Sequence, residues 1–188
     1  MKFFEMYADT CVEDFVKLDD NSFTDEIERA CYFSEFQFLN HSLVEVEISL
    51  EGGTAFQDFL LHKNSVPLIS AKMKKVFDAC KVDNIFYKPV TLTFSRLGFA
   101  ENYFLALPPR INCLNMSESV FEVEDTENFF PEMTSKTATK IVIDRNKVGN
   151  YKIFKLPQFF LNAEIIVTED LKTALENAEL SNVNFIEI

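Results

Sequence analysis

Apolar residues in this chain recur at strand spacing far more often than at helix spacing, and that imbalance bounds the folds open to it. Only two stretches keep a clear helical period. Met73, Val76, Phe77 and Cys80 recur at i, i+3, i+4 and i+7 behind Ser70, a good N-cap, while Lys72, Lys74, Lys75 and Lys81 take the water side. Leu171, Ala174, Leu175 and Ala178 repeat the spacing behind Thr168, with Glu169 and Asp170 in the first turn. The spacing predicts helices over about 70–81 and 168–179. Short apolar or alternating runs predict strands near 2–8, 43–50, 85–94, 103–107, 111–114, 120–123, 140–143, 151–156, 165–167 and 183–186. Pro89 marks an edge or a bulge in the third of these, and Gly52-Gly53 a turn after the second. A cap-like Ser22-Phe23-Thr24-Asp25 suggests a further short helix with Ile27, Ala30 and Cys31 inward. No alternation of strand and helix runs along the chain, which argues against a doubly wound sheet. The expected class is α+β, with a mainly antiparallel sheet and two principal amphipathic helices.

At 188 residues the chain has the length of one domain, 1–188. The apolar material is unusual: 21 Phe, five Tyr and no Trp. Phe has no polar handle, so most of these rings belong in a core. Four Gly and six Pro leave little for long flexible loops. The one plausible joint lies near 62–66, and it would divide an acidic N-terminal subdomain, 1–62, from a core, 63–188. The charge balance changes there. Residues 1–62 carry fourteen Asp and Glu against three Lys and Arg, a net of −11, whereas residues 63–188 carry a net of −1. An acidic face repels nucleic acid and anionic membrane, and it draws basic partners and speeds encounter with them. The candidate partner-binding residues are therefore Glu5, Asp9, Glu13, Asp14, Asp19, Asp20, Asp25, Glu26 and Glu28.

Most catalytic chemistry is missing from the pattern. There is neither GxxxxGK[ST] nor GxGxxG to cradle a phosphate. The only candidate general bases, His41 and His62, sit in no nucleophile context. An EF-hand counted from Asp19 places Thr24 where Gly is needed and Ala30 where Glu is needed. Cys11, Cys31, Cys80 and Cys113 form no CxxC pair, which predicts four reduced thiols and no zinc. The lysines near 72–81 read as the solvent face of one helix, not a phosphate-binding stripe. No run reaches the roughly 18–20 apolar residues of a membrane helix, and the start lacks the apolar core of a signal peptide. The expectation is a cytoplasmic protein with no catalytic residue, cofactor, metal, nucleic acid or membrane partner. A binding protein that acts through a surface remains. Two other readings stay open: a small-ligand module or enzyme whose pocket gathers carboxylates with Tyr7, Tyr32, Tyr87 or Tyr103, and a homo-oligomer assembled through exposed Phe.

Residues 58–188 resemble the Imm-eleven family of bacterial immunity proteins from polymorphic-toxin systems. The resemblance begins at Asp58-Phe59-Leu60, then follows Val66-Pro67-Leu68-Ile69-Ser70 into a helix. It continues through Ile85-Phe86-Tyr87-Lys88-Pro89-Val90, Tyr103-Phe104-Leu105-Ala106-Leu107 and Cys113-Leu114-Asn115-Met116-Ser117. Asn115 stands where the family usually has Asp, and Ser117 comes one residue early. Ile141-Val142-Ile143-Asp144, Ile153-Phe154-Lys155-Leu156 and Ile165-Ile166-Val167-Thr168-Glu169-Asp170-Leu171-Lys172 complete the series, with Val183-Asn184-Phe185 as its last strand. The resemblance implies a non-enzymatic protein that binds and blocks a cognate toxin. Toxins of this kind are often nucleases and commonly basic. The acidic first third would complement such a toxin as a rim that raises association rate. The anchors of the contact would be one or two aromatic residues near its centre.

Overall fold

Alternation along β-strands sorts the side chains of this protein into three apolar clusters. The computed structural model describes residues 1–9, 11–18, 44–47, 53–62, 66–94, 99–123, 136–156 and 165–188. The chain order of elements is β1 (Phe3–Tyr7), β2 (Val44–Glu47), β3 (Phe59–His62), β4 (Val66–Ser70), α1 (Ala71–Ala79), β5 (Phe86–Phe94), β6 (Phe99–Leu107), β7 (Val120–Val123), β8 (Lys136–Lys140), α2 (Arg145–Val148), β9 (Ile153–Lys155), β10 (Ile165–Thr168), α3 (Glu169–Asn177) and β11 (Asn184–Glu187). One sheet has the order β11-β1-β10-β9 and is antiparallel throughout. The second, β2-β5-β6-β4-β3, is antiparallel except for the parallel β2–β5 pair. β7 and β8 form a separate hairpin ladder. The class is α+β with mainly antiparallel sheet.

The central cluster joins the two sheets through the helices. Met73 and Phe77 of α1 and Leu171 and Leu175 of α3 meet Phe4 and Met6 of β1, Ile69 of β4, Ala106 of β6 and Ile165 and Val167 of β10. These four helical positions are the inner face that the 3.6-residue spacing predicts, and all four are buried. The alternate residues of the same strands face away. Tyr103, Leu105 and Leu107 of β6 join Leu68 of β4 and Val16 in a second cluster on the other side of the five-stranded sheet. Phe3 and Ile166 join Cys113, Leu114, Val148 and Phe154 on the other side of the four-stranded sheet.

Several local details depart from the sequence reading. Ser70 caps α1 as expected, accepting the Met73 N–H at 3.1 Å. Thr168 occupies the cap of α3, yet its hydroxyl bonds Asp170 and not a backbone N–H. Lys74 is only partly in water: its ammonium lies 4.7 Å from the centre of the Tyr87 ring and pairs with Asp78 at 2.8 Å. Residues 111–114 form no strand. Their donors are spent on a turn and a cross-link, Cys113 N–H to the Ile111 carbonyl and Ile111 N–H to the Lys155 carbonyl. The strand expected at 140–143 instead ends at Lys140, and the Val142 N–H goes to the Ser119 hydroxyl. The short α2, capped by Asp144 through the Asn146 N–H, was not expected. Pro89 lies in β5 just before Val90, where the described pairing with β2 begins, so its missing N–H takes no donor from that ladder. The short helix expected at 22–31 lies outside the described residues.

Candidate interaction surface

The acidic N-terminal segment is held in place by backbone bonds from two directions. After β1, Asp9 meets Asn182: the Asp9 N–H donates to Asn182 Oδ1 at 2.8 Å, and Asn182 Nδ2 donates to the Asp9 carbonyl at 3.2 Å. Asp9 Oδ1 accepts the Cys11 N–H at 2.8 Å, which starts a turn. The following residues zip against 53–55. The Asp14 carbonyl accepts the N–H groups of both Thr54 and Ala55, and the Val16 N–H returns to the Ala55 carbonyl. This approach is close enough to require glycine at 53. Gly53 has φ +53°, and a Cβ there would fall 2.2 Å from the Phe15 carbonyl oxygen.

Of the nine candidate acids, Asp9, Glu13 and Asp14 are exposed: Asp9 where its carboxylate accepts the Cys11 N–H, and Glu13 and Asp14 on a separate turn closed by the Phe15 N–H and the Val12 carbonyl. Glu13 and Asp14 form no ion pair among the described residues. Glu5 is separate. It sits in the middle of β1, half-buried, between Ile166 of β10 and Ile186 of β11. Burial holds its carboxyl above the ordinary range, and no Lys or Arg pairs with it among the described residues. Asp19, Asp20, Asp25, Glu26 and Glu28 lie outside the described residues.

Another acid of the N-terminal third, Asp58, does internal work that the sequence does not reveal. Asp58 Oδ1 accepts the Ser70 hydroxyl at 2.5 Å, and Oδ2 accepts the Ser181 N–H at 2.9 Å. The Asp58 N–H in turn donates to Ser181 Oγ at 2.8 Å, and Lys72 lies 3.9 Å away. The same carboxylate therefore ties the cap of α1 to the chain beyond α3. Asp58 opens the family-like segment in the sequence, but only the tertiary structure supplies its partners.

No group of three or more His, Cys, Asp or Glu among the described residues could hold a metal ion. Tyr87 and Tyr103 do not line one pocket, because they face opposite sides of the five-stranded sheet. The Tyr103 hydroxyl donates to the Gln57 carbonyl at 2.7 Å, and burial pushes both phenols well above their usual range. Tyr32 and His41 lie outside the described residues. Cys11 is exposed, Cys80 half-buried and Cys113 buried, each a free thiol, and burial pushes Cys113 up to about 11. Among the described residues no helix is long and apolar enough to cross a membrane.

The geometry thus defines a protein whose described acids either brace the fold or present charge at a surface. The chain belongs to the Immunity protein family (Imm11), whose sequence model matches residues 20–188. The match starts 38 residues before Asp58, so it takes in most of the acidic third as well. No curated protein matches this chain. Membership points to toxin immunity, and it implies a cognate toxin as partner.

Proposed function

We propose that this protein neutralises one specific toxin by direct, stoichiometric binding in the cytoplasm, without catalytic turnover. The observation that carries this reading is the family match over residues 20–188. The toxin is basic, a nuclease being the class that best suits an acidic inhibitor. The acidic third contributes to the contact through Asp9, Glu13 and Asp14, with Glu5 beside them in sequence and Asp19, Asp20, Asp25, Glu26 and Glu28 following. Support comes from the net charge of −11 confined to residues 1–62 and from the exposure of Asp9, Glu13 and Asp14. Exposed charges act over about 8–10 Å at physiological ionic strength, so their main effect falls on encounter rate.

The test is co-expression of the toxin encoded by the neighbouring gene, followed by binding kinetics at low and high salt. Wild-type protein is expected to rescue growth. Glu13→Lys with Asp14→Lys is expected to slow association about tenfold, and salt should slow the wild type similarly. Binding indifferent to both would leave the acidic turn a solubilising surface. A toxin that remains lethal beside abundant soluble protein would defeat the immunity role itself.

A further inference from the structure

The two edges of the four-stranded sheet are treated differently. At β9 the edge is closed: the Lys155 N–H donates to the Pro109 carbonyl at 2.8 Å, and the Ile111 N–H to the Lys155 carbonyl at 3.0 Å. At β11 no strand among the described residues pairs with the outer side. The register says which groups point there. The Ile188 N–H donates to the Phe3 carbonyl, so Ile188, Ile186 and Asn184 direct their backbone toward β1. Phe185 and Glu187 must then direct N–H and C=O outward, away from the sheet. Such a row of outward groups is a template for another strand.

Side chains and charge around this edge say what would fit it. Ile186 is 52 % exposed, on the same face as Glu5, its neighbour across the ladder. The cluster that covers Phe3 and Ile166 leaves Ile186 outside it. At the Asn184 end of the edge stands Asp9, joined to it through the Asp9–Asn182 bonds. An exposed isoleucine beside the Glu5 carboxylate, with exposed Asp9 at one end of the edge, complements an extended chain that alternates apolar and basic residues. A Lys or Arg two strand spacings from Glu5, about 10 Å, would lay its alkyl stem over Ile186 and its charge toward Glu5.

We propose, resting on the toxin-binding reading above, that the outer edge of β11 receives an extended basic segment of the toxin as an added strand, seated on Ile186 and flanked by Glu5 and Asp9. Backbone bonds to Phe185 and Glu187 would supply register, and the acids would select the partner.

The experiment uses the full chain and the inactivated toxin domain encoded next to its gene. Amide hydrogen exchange is followed with and without toxin, and binding is measured for Ile186→Lys and Glu187→Pro. The N–H groups of Phe185 and Glu187 should exchange at least about tenfold more slowly in the complex. Ile186→Lys should speed dissociation at least about tenfold with an unchanged melting temperature, because the side chain is exposed in the free protein. Glu187→Pro removes an outward N–H together with the exposed Lys2–Glu187 ion pair and should act similarly, with Glu187→Gln as the control that removes the ion pair alone. If Glu187→Pro fails to fold, the wild-type exchange data and Ile186→Lys still decide the matter. Toxin that binds while both amides exchange unchanged and Ile186→Lys binds normally overturns the strand-addition proposal and leaves the immunity role intact. Toxin that does not bind the wild type overturns both. A dimer of the free chain that Ile186→Lys dissolves would assign the edge to a second copy and overturn the toxin assignment.

Discussion

Glu5 is an acid placed where a sheet would ordinarily carry an apolar or neutral residue. It lies on an internal strand, with Ile166 on one side and Ile186 on the other. Burial raises its carboxyl above the ordinary 4.5. The sign of the consequence follows directly. The charged form is less favourable in the folded chain than in the unfolded one, so Glu5 costs stability above its raised folded value. That cost disappears as pH falls below the ordinary value. Glu5→Gln should therefore raise the melting temperature at pH 7, and the gain should shrink to nothing by about pH 4. Melts of both proteins from pH 4 to 7 check this, and an equal gain at every pH would mean that packing, not charge, is responsible. At this scale the sequence was partly readable. It marked Glu5 as an acid of the acidic third, but the alternation that sets it beside Ile186 needs the register of three strands. Gly53 behaves likewise: a turn was legible, whereas its intolerance of a Cβ comes from the Phe15 carbonyl, distant in sequence.

Among the elements, α1 illustrates how a local signal and a long-range one meet in one residue. Ser70 was readable as a cap because its hydroxyl needs only the Met73 N–H three residues on. The same hydroxyl donates to Asp58, which also receives two bonds from Ser181. Asp58→Ala leaves these donors without their charged acceptor and should cost about 2–4 kcal/mol. Ser70→Ala should cost about 1 kcal/mol. The double substitution should cost less than the sum, since one bond is shared. Urea midpoints at constant slope measure all three. Strict additivity would mean that the Ser70–Asp58 bond contributes nothing. The strands expected at 111–114 and 140–143 were misread for a related reason. Their apolar alternation is real, but it serves to cover the four-stranded sheet with Ile111, Ile141 and Ile143. Most of their backbone donors go elsewhere, to a turn, to Lys155 and to Ser119, so the two segments meet in the single antiparallel bridge Leu114–Ile143 and do not extend into strands.

For the whole molecule, the question left by the charge step near residue 62 is whether the acidic third stands apart. Four pairings cross that boundary. β1 is flanked by β10 and β11, β2 pairs with β5, and β3 pairs antiparallel with β4. We propose that the chain unfolds as one cooperative unit. Tyrosine fluorescence and far-ultraviolet circular dichroism should then give coincident urea transitions with a single midpoint. Two resolved transitions, the first lost on deleting 1–62, would restore the acidic part as a subdomain. Cooperative unfolding would also mean that the charge presented by Asp9, Glu13 and Asp14 is displayed from a rigid base. Rigid display favours fast, selective encounter over adaptable binding.

What the sequence determined by itself is everything that repeats within a few residues. Alternation and the 3.6-residue period identified the class, both principal helices and most strands, because those signals are written along the local chain. The order of packed segments carried the family resemblance for the same reason. What only the tertiary structure decided is pairing between distant segments. The central place of β1, the closed edge at β9 and, among the described residues, the unpaired outer edge of β11 follow from contacts up to 185 residues apart, such as Lys2 with Glu187. Strand order minimises exposed backbone and apolar area for the whole chain at once, and no local window holds that sum.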